Sequence, residues 1–560
     1  MIMSDAKPDA ATVERQKGIL GAIEKAGNKL PDPAFIFFYL ILFMVAISTI
    51  TAIVGLSVAH PTQTNPDGSP AIVEAVSALS PDVISHLLVE MPEIFTSFHP
   101  LGYVLVVMLG AGVAERAGLF GTAMRAMVRD VPVSLLTPAV ALAAMMGNLA
   151  ADAAYVVLIP LAAVIFAAAG RHPIAGITAA FAGVSGGFSA NLLPGQLDAL
   201  LFGITEASVE AANLGVPWTM NIAGNWYFIA AMTFIFLPVI WFVTDRIVEP
   251  RLGPWTGGAV AGGKGTDDDE DVNADLTPGQ KKGLARAGLA TLGVVAVWVI
   301  LTVDLVHLIS FGNFSMYPLV DGVPNAPLFN EAVLQDPEAN IAVALVPMFS
   351  SLVAGFMLLF IFAGVAYGQA AGTIKTHRDI VDMMAGAMKD MGYYLVLAFF
   401  AAYFVEMFNQ SQLGLIFAVN GANAIESSGL PLPIVLGLIV LFAGALNLFV
   451  GSASAKWALM APVLVPMLML LGVSPEMATA AYRVGDSGTN IITPLMVYFP
   501  LVLVFARRWV PEFGIGSLTA SMIPYSIWLM ISGIIMTVAW VFLGLPLGPG
   551  ASVTMAIPGA

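Results

Sequence analysis

The sequence has no cysteine, which excludes disulfides, thiolate metal sites and cysteine nucleophiles. Charge is also scarce. Only 11% of the 560 residues are Asp, Glu, Lys or Arg, against about 25% in an ordinary soluble domain. His99, His172, His307 and His377 show no metal-ligand spacing, and there is no H-E-x-x-H and no Ser/His/Asp order. Nothing in the residues supports an enzyme. Gly258, Gly263 and Lys264 begin a phosphate-loop pattern, but Gly265 stands where a magnesium-binding Ser or Thr is needed, no strand precedes it and an acidic run follows. Nucleotide binding is therefore not expected there.

Apolar sequence is abundant, at 58% of residues. Runs long enough to cross a hydrocarbon core of about 30 Å recur, at Ala34–Val58, Ala287–Val303, Ile341–Val365, Leu432–Val450 and Leu518–Leu543. The polar first 33 residues and the missing cleavage site mark the first run as an uncleaved span rather than a signal peptide. The net charge of −15 falls largely in loops, including Asp267–Asp271, and reads as solvated linker rather than a surface for a basic partner such as nucleic acid.

Basic residues set the expected orientation. Lys17, Lys25 and Lys29 precede the first span, so the N-terminus is expected in the cytoplasm. Ser57–Pro100 and Asp304–Asn340 carry no Lys or Arg and are expected outside. Arg116, Arg125 and Arg129, the loop from Asp245 to Arg286, Lys375 to Lys389, and Arg507 with Arg508 are expected inside. Arg171, Lys456 and Arg483 fit no cytoplasmic loop. An intramembrane charge costs at least about 2.5–3.5 kcal/mol on insertion scales, so each needs a partner or a task.

Two stretches of the chain correspond at one constant offset. Asp152 to Tyr155 aligns with Ser454 to Trp457, Pro160 with Pro462, Gly170 with Gly472, Pro173 with Pro475, and Gly183 to Gly186 with Gly485 to Gly488. Each pair differs by 302 positions, as in 454 − 152 and 475 − 173. Register held through Pro and Gly landmarks points to an internal duplication. Each copy contains a polar break (Gly147-Asn148; Gly451-Ser452), then a Pro-led segment ending in a Gly/Ser-rich turn (Gly183–Asn191; Gly485–Asn490). Paired interruptions of this kind mark a transporter site near the bilayer midplane, where irregular backbone is tolerated only against protein or a water-filled cavity. Hairpin tips of this sort present helix N-terminal N–H groups to anions such as carboxylates.

Around these breaks lie residues that carry chemistry. Asp152 is an acid in an apolar run, one turn after Asn148. Arg483 and Asp486 are three apart on one helix face and are expected to pair directly. Ser454 and Trp457 are three apart on the matching segment, and Asn447 precedes them. The set suits a substrate with an aromatic ring and carboxylates. Trp457, with its repeat mate Tyr155, would stack on the ring, Arg483 would fork a carboxylate, and Asp152 or Asp486 would carry a coupling proton.

With these residues in view, the sequence resembles the p-aminobenzoyl-glutamate transporter (AbgT) family, from about Gly27 to the last span. The resemblance is carried by Gly27-Asn-Lys-Leu-Pro-Asp-Pro33, Pro100-Leu-Gly102 with Met108–Glu115, Ala151-Asp-Ala-Ala-Tyr-Val-Val-Leu-Ile-Pro160, His172-Pro-Ile-Ala-Gly176 with Phe181–Leu193, and Asn225-Trp-Tyr-Phe228. Val243-Thr-Asp-Arg-Ile-Val-Glu-Pro-Arg-Leu-Gly253, Gly451-Ser-Ala-Ser-Ala-Lys-Trp457 and Arg483-Val-Gly-Asp-Ser-Gly-Thr-Asn490 complete it. It implies an all-α polytopic membrane protein with about nine transmembrane helices, two re-entrant helical hairpins and a two-fold internal repeat. It also implies a homodimer in a bacterial inner membrane, with an inner transport core and an outer scaffold. The family's transport residues fall on Asp152, Asn447, Ser454, Trp457, Pro475, Arg483, Asp486 and Pro494. The hairpin tips would be Ser185, Gly186, Ser189 and Asn191 in one half, and Ser487, Gly488, Thr489 and Asn490 in the other. Departures at Gly147-Asn-Leu-Ala-Ala151 and Asn409-Gln-Ser-Gln-Leu-Gly414 remove or alter polar groups and bear on whether sodium binds.

The expected organisation is a cytoplasmic segment 1–33, a first membrane half 34–252 with a hairpin near 172–203, and an acidic linker 253–283. A second half 284–548 with a hairpin near 475–498 and a tail 549–560 follow. The expected activity is secondary transport of p-aminobenzoyl-glutamate-like aromatic carboxylates, or efflux of p-aminobenzoate-related antimetabolites such as sulfonamides, driven by the proton-motive force. No cofactor and no firm metal site are expected. The coupling ion is H+ or Na+, with the hairpin tips the place for any sodium. A sodium-coupled dicarboxylate or peptide importer is the first alternative, and a channel the second.

Overall fold

The computed structural model describes residues 33–128, 131–150, 153–215, 218, 221–255, 276–303, 319–320, 323–324, 326–329, 345–493, 496 and 498–556. Asp152 and Pro494, and most of the Asp304–Asn340 loop, lie outside the described residues. Among the described residues, seven helices are long and apolar enough to cross a membrane, or eight if one bent pair counts as a single span. Four shorter apolar helices supply the interrupted segments.

The chain opens with α1 (Pro33–Val54) and a two-stranded antiparallel ribbon, β1 (Ser57–Thr64) and β2 (Pro70–Glu74). This ribbon, and a second one of two residues per strand (Leu319–Val320 with Val323–Pro324), departs from the all-helical expectation. The polar, Pro- and Gly-containing sequence between β1 and β2 supports a hairpin outside the apolar layer.

Helices α2 (Pro81–Val89), α3 (Met91–Thr96), α4 (His99–Arg116) and α5 (Leu119–Val128) follow, with a 64° bend between α4 and α5 at Gly118, whose φ is +89°. The first interrupted unit is α6 (Leu136–Gly147), α7 (Ala153–Ala168), α8 (Pro173–Phe181) continued by a π-turn at Ala182–Gly186, and α9 (Gln196–Ala212). Then come α10 (Trp226–Val243), α11 (Pro278–Thr302), α12 (Leu352–Ala371), α13 (His377–Asp390), α14 (Gly392–Gln410) and α15 (Leu413–Ser427). The second interrupted unit is α16 (Leu432–Asn447), α17 (Ala453–Leu470), α18 (Pro475–Thr489) and α19 (Phe499–Trp509), and α20 (Ile515–Leu543) closes the helical part.

Helix α11 begins at Pro278, inside the stretch read as linker, because Thr277 caps it: its hydroxyl accepts from Gln280 N at 3.2 Å, and the Gln280 side chain accepts from Thr277 N at 2.9 Å. Val553 O accepts from Ser474 N at 3.0 Å, tying the C-terminal stretch to the start of α18.

Two apolar clusters organise the helices. The larger joins α1, α6 to α10 and α14 to α20. The smaller joins α4 with α11, α12 and α13. Helix α11 buries only Gly283, Ala287 and Thr302, while Leu289, Leu292, Val295, Val297 and Val299 point outward. An apolar outer face on a long apolar helix is what a lipid-facing position requires.

Matching turns recur at the 302-residue offset. Gly170 and Gly472 both take left-handed backbone, at φ +73° and +75°. Each ends its helix in the same way: Arg171 N donates to Phe166 O at 2.8 Å, and Val473 N donates to Leu468 O at 2.9 Å. Pro173 and Pro475 then open α8 and α18 at the first helical position, each after a capping side chain, His172 in one and Ser474 in the other.

Candidate functional site

The two hairpin tips meet in the larger cluster. Ser189 N donates to Ser487 Oγ at 3.2 Å, and Asn490 Nδ2 donates to Ser185 O at 3.5 Å. The approach depends on glycine. A Cβ on Gly485 would lie 2.3 Å from Val440 O, and one on Gly183 would lie 2.8 Å from Ala141 O. Each hairpin helix therefore presses against the helix that ends at its half's break, α16 in one half and α6 in the other.

Both breaks carry an asparagine that reaches to its tip. Asn148 Nδ2 donates to Gly187 O at 3.2 Å. Asn447 Nδ2 donates to Asp486 O at 2.7 Å, Thr489 Oγ1 at 2.9 Å and Asn490 Oδ1 at 2.7 Å. Asp486 Oδ2 accepts from Asn490 Nδ2 at 3.3 Å, and Thr489 Oγ1 donates to Gly444 O at 3.0 Å. Asn447, Asp486, Ser487, Thr489, Asn490, Ser185 and Ser189 lie together as buried polar residues where the two tips meet.

The expected Arg483–Asp486 pair is absent. Asp486 pairs instead with Lys456, whose Nζ also donates to Asn447 Oδ1. Arg483 Nη2 pairs with Asp198 Oδ1 at 2.6 Å, and Asp198 Oδ2 accepts from Gly195 N at 2.7 Å. Residues three apart on a helix are neighbours only if their side chains turn toward each other. Here Lys456 and Asp198 stand on separate packed helices and take the two charges apart. All four side chains are at most 8% exposed. Among the described residues, the buried Nε and Nη1 atoms of Arg483 have no hydrogen-bond partner.

Trp457 is fully buried. Its Nε1 donates to Thr205 Oγ1 at 2.9 Å, and its ring stacks on Tyr482 with centroids 4.6 Å apart and 27° between planes. Tyr155 stacks on Tyr498 at 4.3 Å. Both rings expected to face a substrate are therefore engaged with protein in this conformation. Ser454 lies 3.2 Å from Ser452 Oγ and lines a small cleft with Leu200, Ile204 and Tyr394, away from the tip junction. Pro475 starts α18 and sets its direction. Gly186 and Gly488 face the Leu529 and Met530 side chains of α20, which would have to shift to admit a Cβ. Asn191 Nδ2 donates to Met145 O at 3.4 Å and so fastens the end of the first tip to α6.

Four residues escaped the sequence reading of the site: Lys456, Asp198, Thr205 and Tyr482. A signal existed for two of them. Lys456 is a cation with no loop to explain it, and Asp198 is the one acid between His172 and Thr205. The remaining intramembrane cation, Arg171, is neutralised by Asp245 at 2.5 Å and by Glu249, and it donates to Thr137 Oγ1 at 2.8 Å. The altered run Asn409–Leu413 lies by the ribbon, where Ser411 O accepts from Val76 N at 3.1 Å. Among the described residues, no group of three or more His, Cys, Asp or Glu gathers as a metal site.

The chain as a whole is matched by known proteins. The AbgT putative transporter family model matches residues 18–555. The chain belongs to that family. It is 34% identical over 533 residues to the p-aminobenzoyl-glutamate transport protein of Escherichia coli K12, covering 95% of this chain and 96% of that one. Among solved structures, Neisseria gonorrhoeae MtrF, described within a class of antimetabolite efflux pumps, superposes with a TM-score of 0.81 at 38% identity, covering 95% of this chain and all of that one. The Alcanivorax borkumensis YdaH transporter, described as having an unusual topology, superposes with a TM-score of 0.79 at 38% identity over 93% of this chain and all of that one. The AbgT assignment makes the chain a membrane transporter acting on small molecules.

Proposed function

We propose that this AbgT-family transporter carries p-aminobenzoyl-glutamate-like aromatic carboxylates, or exports p-aminobenzoate-related compounds including sulfonamides, at the expense of the proton-motive force. The observation that carries this reading is Arg483. Its guanidinium is buried beside the tips, and one nitrogen holds Asp198 while two have no partner among the described residues. A buried cation with unused donors is a receptor for one more oxyanion, and a carboxylate fits its fork. Trp457 and Tyr482 form an aromatic stack along the same helix pair, a surface that a substrate ring meets once α17 and α18 separate. The E. coli relative's name and MtrF's description supply the substrate class.

The tips would move with their substrate while the α4, α11, α12 and α13 group stays as scaffold, in a homodimer. Asp152 would carry the coupling proton. Protonation of Asp486 would release Lys456 and reorganise the junction. A membrane potential supplies about 2.3 kcal/mol per charge per 100 mV, enough to drive accumulation.

The test is flux in proteoliposomes. Labelled p-aminobenzoyl-glutamate and a labelled sulfonamide are followed under a pH gradient or a sodium gradient imposed separately. The expected result is saturable transport under the pH gradient, lost in Asp152→Ala. Transport under the sodium gradient alone, or full activity in both Asp152→Ala and Asp486→Asn, contradicts the reading.

A further inference from the structure

We propose that the Lys456 ammonium is a resident cation that fills the cation position of the second hairpin, so that this half of the carrier works without binding sodium. Two oxygens of different elements converge on Lys456 Nζ: Asn447 Oδ1 from the end of α16, and Asp486 Oδ1 from the last turn of α18. An amide oxygen and a carboxylate oxygen, at a helix end beside an unwound tip, are the ligands a transporter offers to a monovalent cation. Here a tethered ammonium takes both.

The placement is electrostatically costly unless the pair has a task. Lys456 is in the first turn of α17, where the helix dipole disfavours a cation, and Asp486 is in the last turn of α18, where it disfavours an anion. Each is at the wrong end of its helix and is stabilised by the other, with the Asn447 side-chain oxygen as the ammonium's second acceptor. Both are fully buried, 0% and 1% exposed, so neither charge is relieved by water.

The first half is the internal control. Asn148, just past the end of α6 and three positions after Met145, the residue the 302-position offset pairs with Asn447, also donates to its tip. The residue 302 positions before Lys456 is Ala154, whose side chain is a methyl group. Among the described residues, the buried Asn148 Oδ1 has no hydrogen-bond partner. The same amide oxygen therefore holds an ammonium where the chain supplies one and has no donor where it does not. The two tips differ at the point where an ion would couple to movement.

The inference rests on the carrier reading above, so its test uses equilibrium binding rather than flux. Full-length purified protein is melted in detergent while NaCl replaces choline chloride at constant ionic strength. Wild-type protein should show no sodium-specific rise in Tm that Asn447→Ala removes. Lys456→Ser should gain a saturable, sodium-specific rise of about 2 °C or more, lost again in Lys456→Ser/Asn447→Ala. A saturable sodium-specific rise in the wild type that Asn447→Ala abolishes overturns the proposal. So does a folded Lys456→Ser that gains none. Should Lys456→Ser fail to fold, the wild-type and Asn447→Ala comparison decides alone. A carrier that moves none of the tested substrates while passing this test defeats the substrate reading and leaves the resident cation standing.

Discussion

At the residue scale, the site is governed by how four buried charges are divided. Lys456 and Asp486 form one pair, and Arg483 and Asp198 the other. Removing one member of a buried pair leaves the other uncompensated, at about 3–5 kcal/mol. Asp198→Ala is therefore expected to lower stability by about that amount, and Asp198→Ala/Arg483→Ala to recover part of it. Denaturation midpoints of the three proteins check this, and a fully additive double variant would show that the two side chains do not interact. Thr205→Val removes the acceptor of the buried Trp457 Nε1–H and should cost about 1–3 kcal/mol, read as a lower Tm and altered Trp emission. The types of these residues were legible in the sequence, but their partners were not. Asp198 is 285 positions from Arg483, and Lys456 is 30 from Asp486. Helical spacing favoured Asp486 for Arg483 on local grounds, and long-range packing of α9 and α17 against α18 overrode it.

At the element scale, each tip is held by glycine contacts that admit no side chain. Gly485→Ala would press a methyl group into Val440 O and should cost at least about 1–3 kcal/mol, with a lower yield of folded protein. Gly288→Ala, where a Cβ meets nothing within 4 Å, is the matched control and should be silent. The β1–β2 ribbon makes a prediction about pH. His60 in β1 is buried, and its Nδ1 accepts from Thr62 N at 3.2 Å and Gln63 N at 3.0 Å. Burial pushes its pKa below the ordinary 6.5, so the folded ribbon disfavours the protonated ring and the unfolded ribbon binds more protons. The stability it contributes is present above pH 6.5 and falls as pH drops below that value. Amide exchange in β1 and β2 should quicken as pH falls below 6.5 in the wild type, and not in His60→Gln. The interrupted helices were readable because Pro173, Pro475, Gly170 and Gly472 punctuate apolar runs in register. The ribbon was not, because β1 carries only weak alternation among polar residues.

At the scale of the whole molecule, the membrane class followed from scarce charge and long apolar runs alone. The division into a large cluster around the tips and a smaller one of α4 and α11 to α13 emerged only from packing. Apolar helices of similar composition fall into both, so composition does not separate moving parts from fixed ones. The tips concentrate the buried polar network, and α11 in the smaller cluster exposes a row of aliphatic side chains.

The central claim is that Arg483 receives a substrate carboxylate at this junction. It is tested most directly by equilibrium binding of p-aminobenzoyl-glutamate to purified wild-type protein and to Arg483→Gln, each first shown to be folded. Loss of a buried charge-assisted partner costs about 2–5 kcal/mol, so the Kd should weaken by about 30-fold or more. A Kd unchanged in folded Arg483→Gln would contradict the account and leave the guanidinium a structural partner of Asp198.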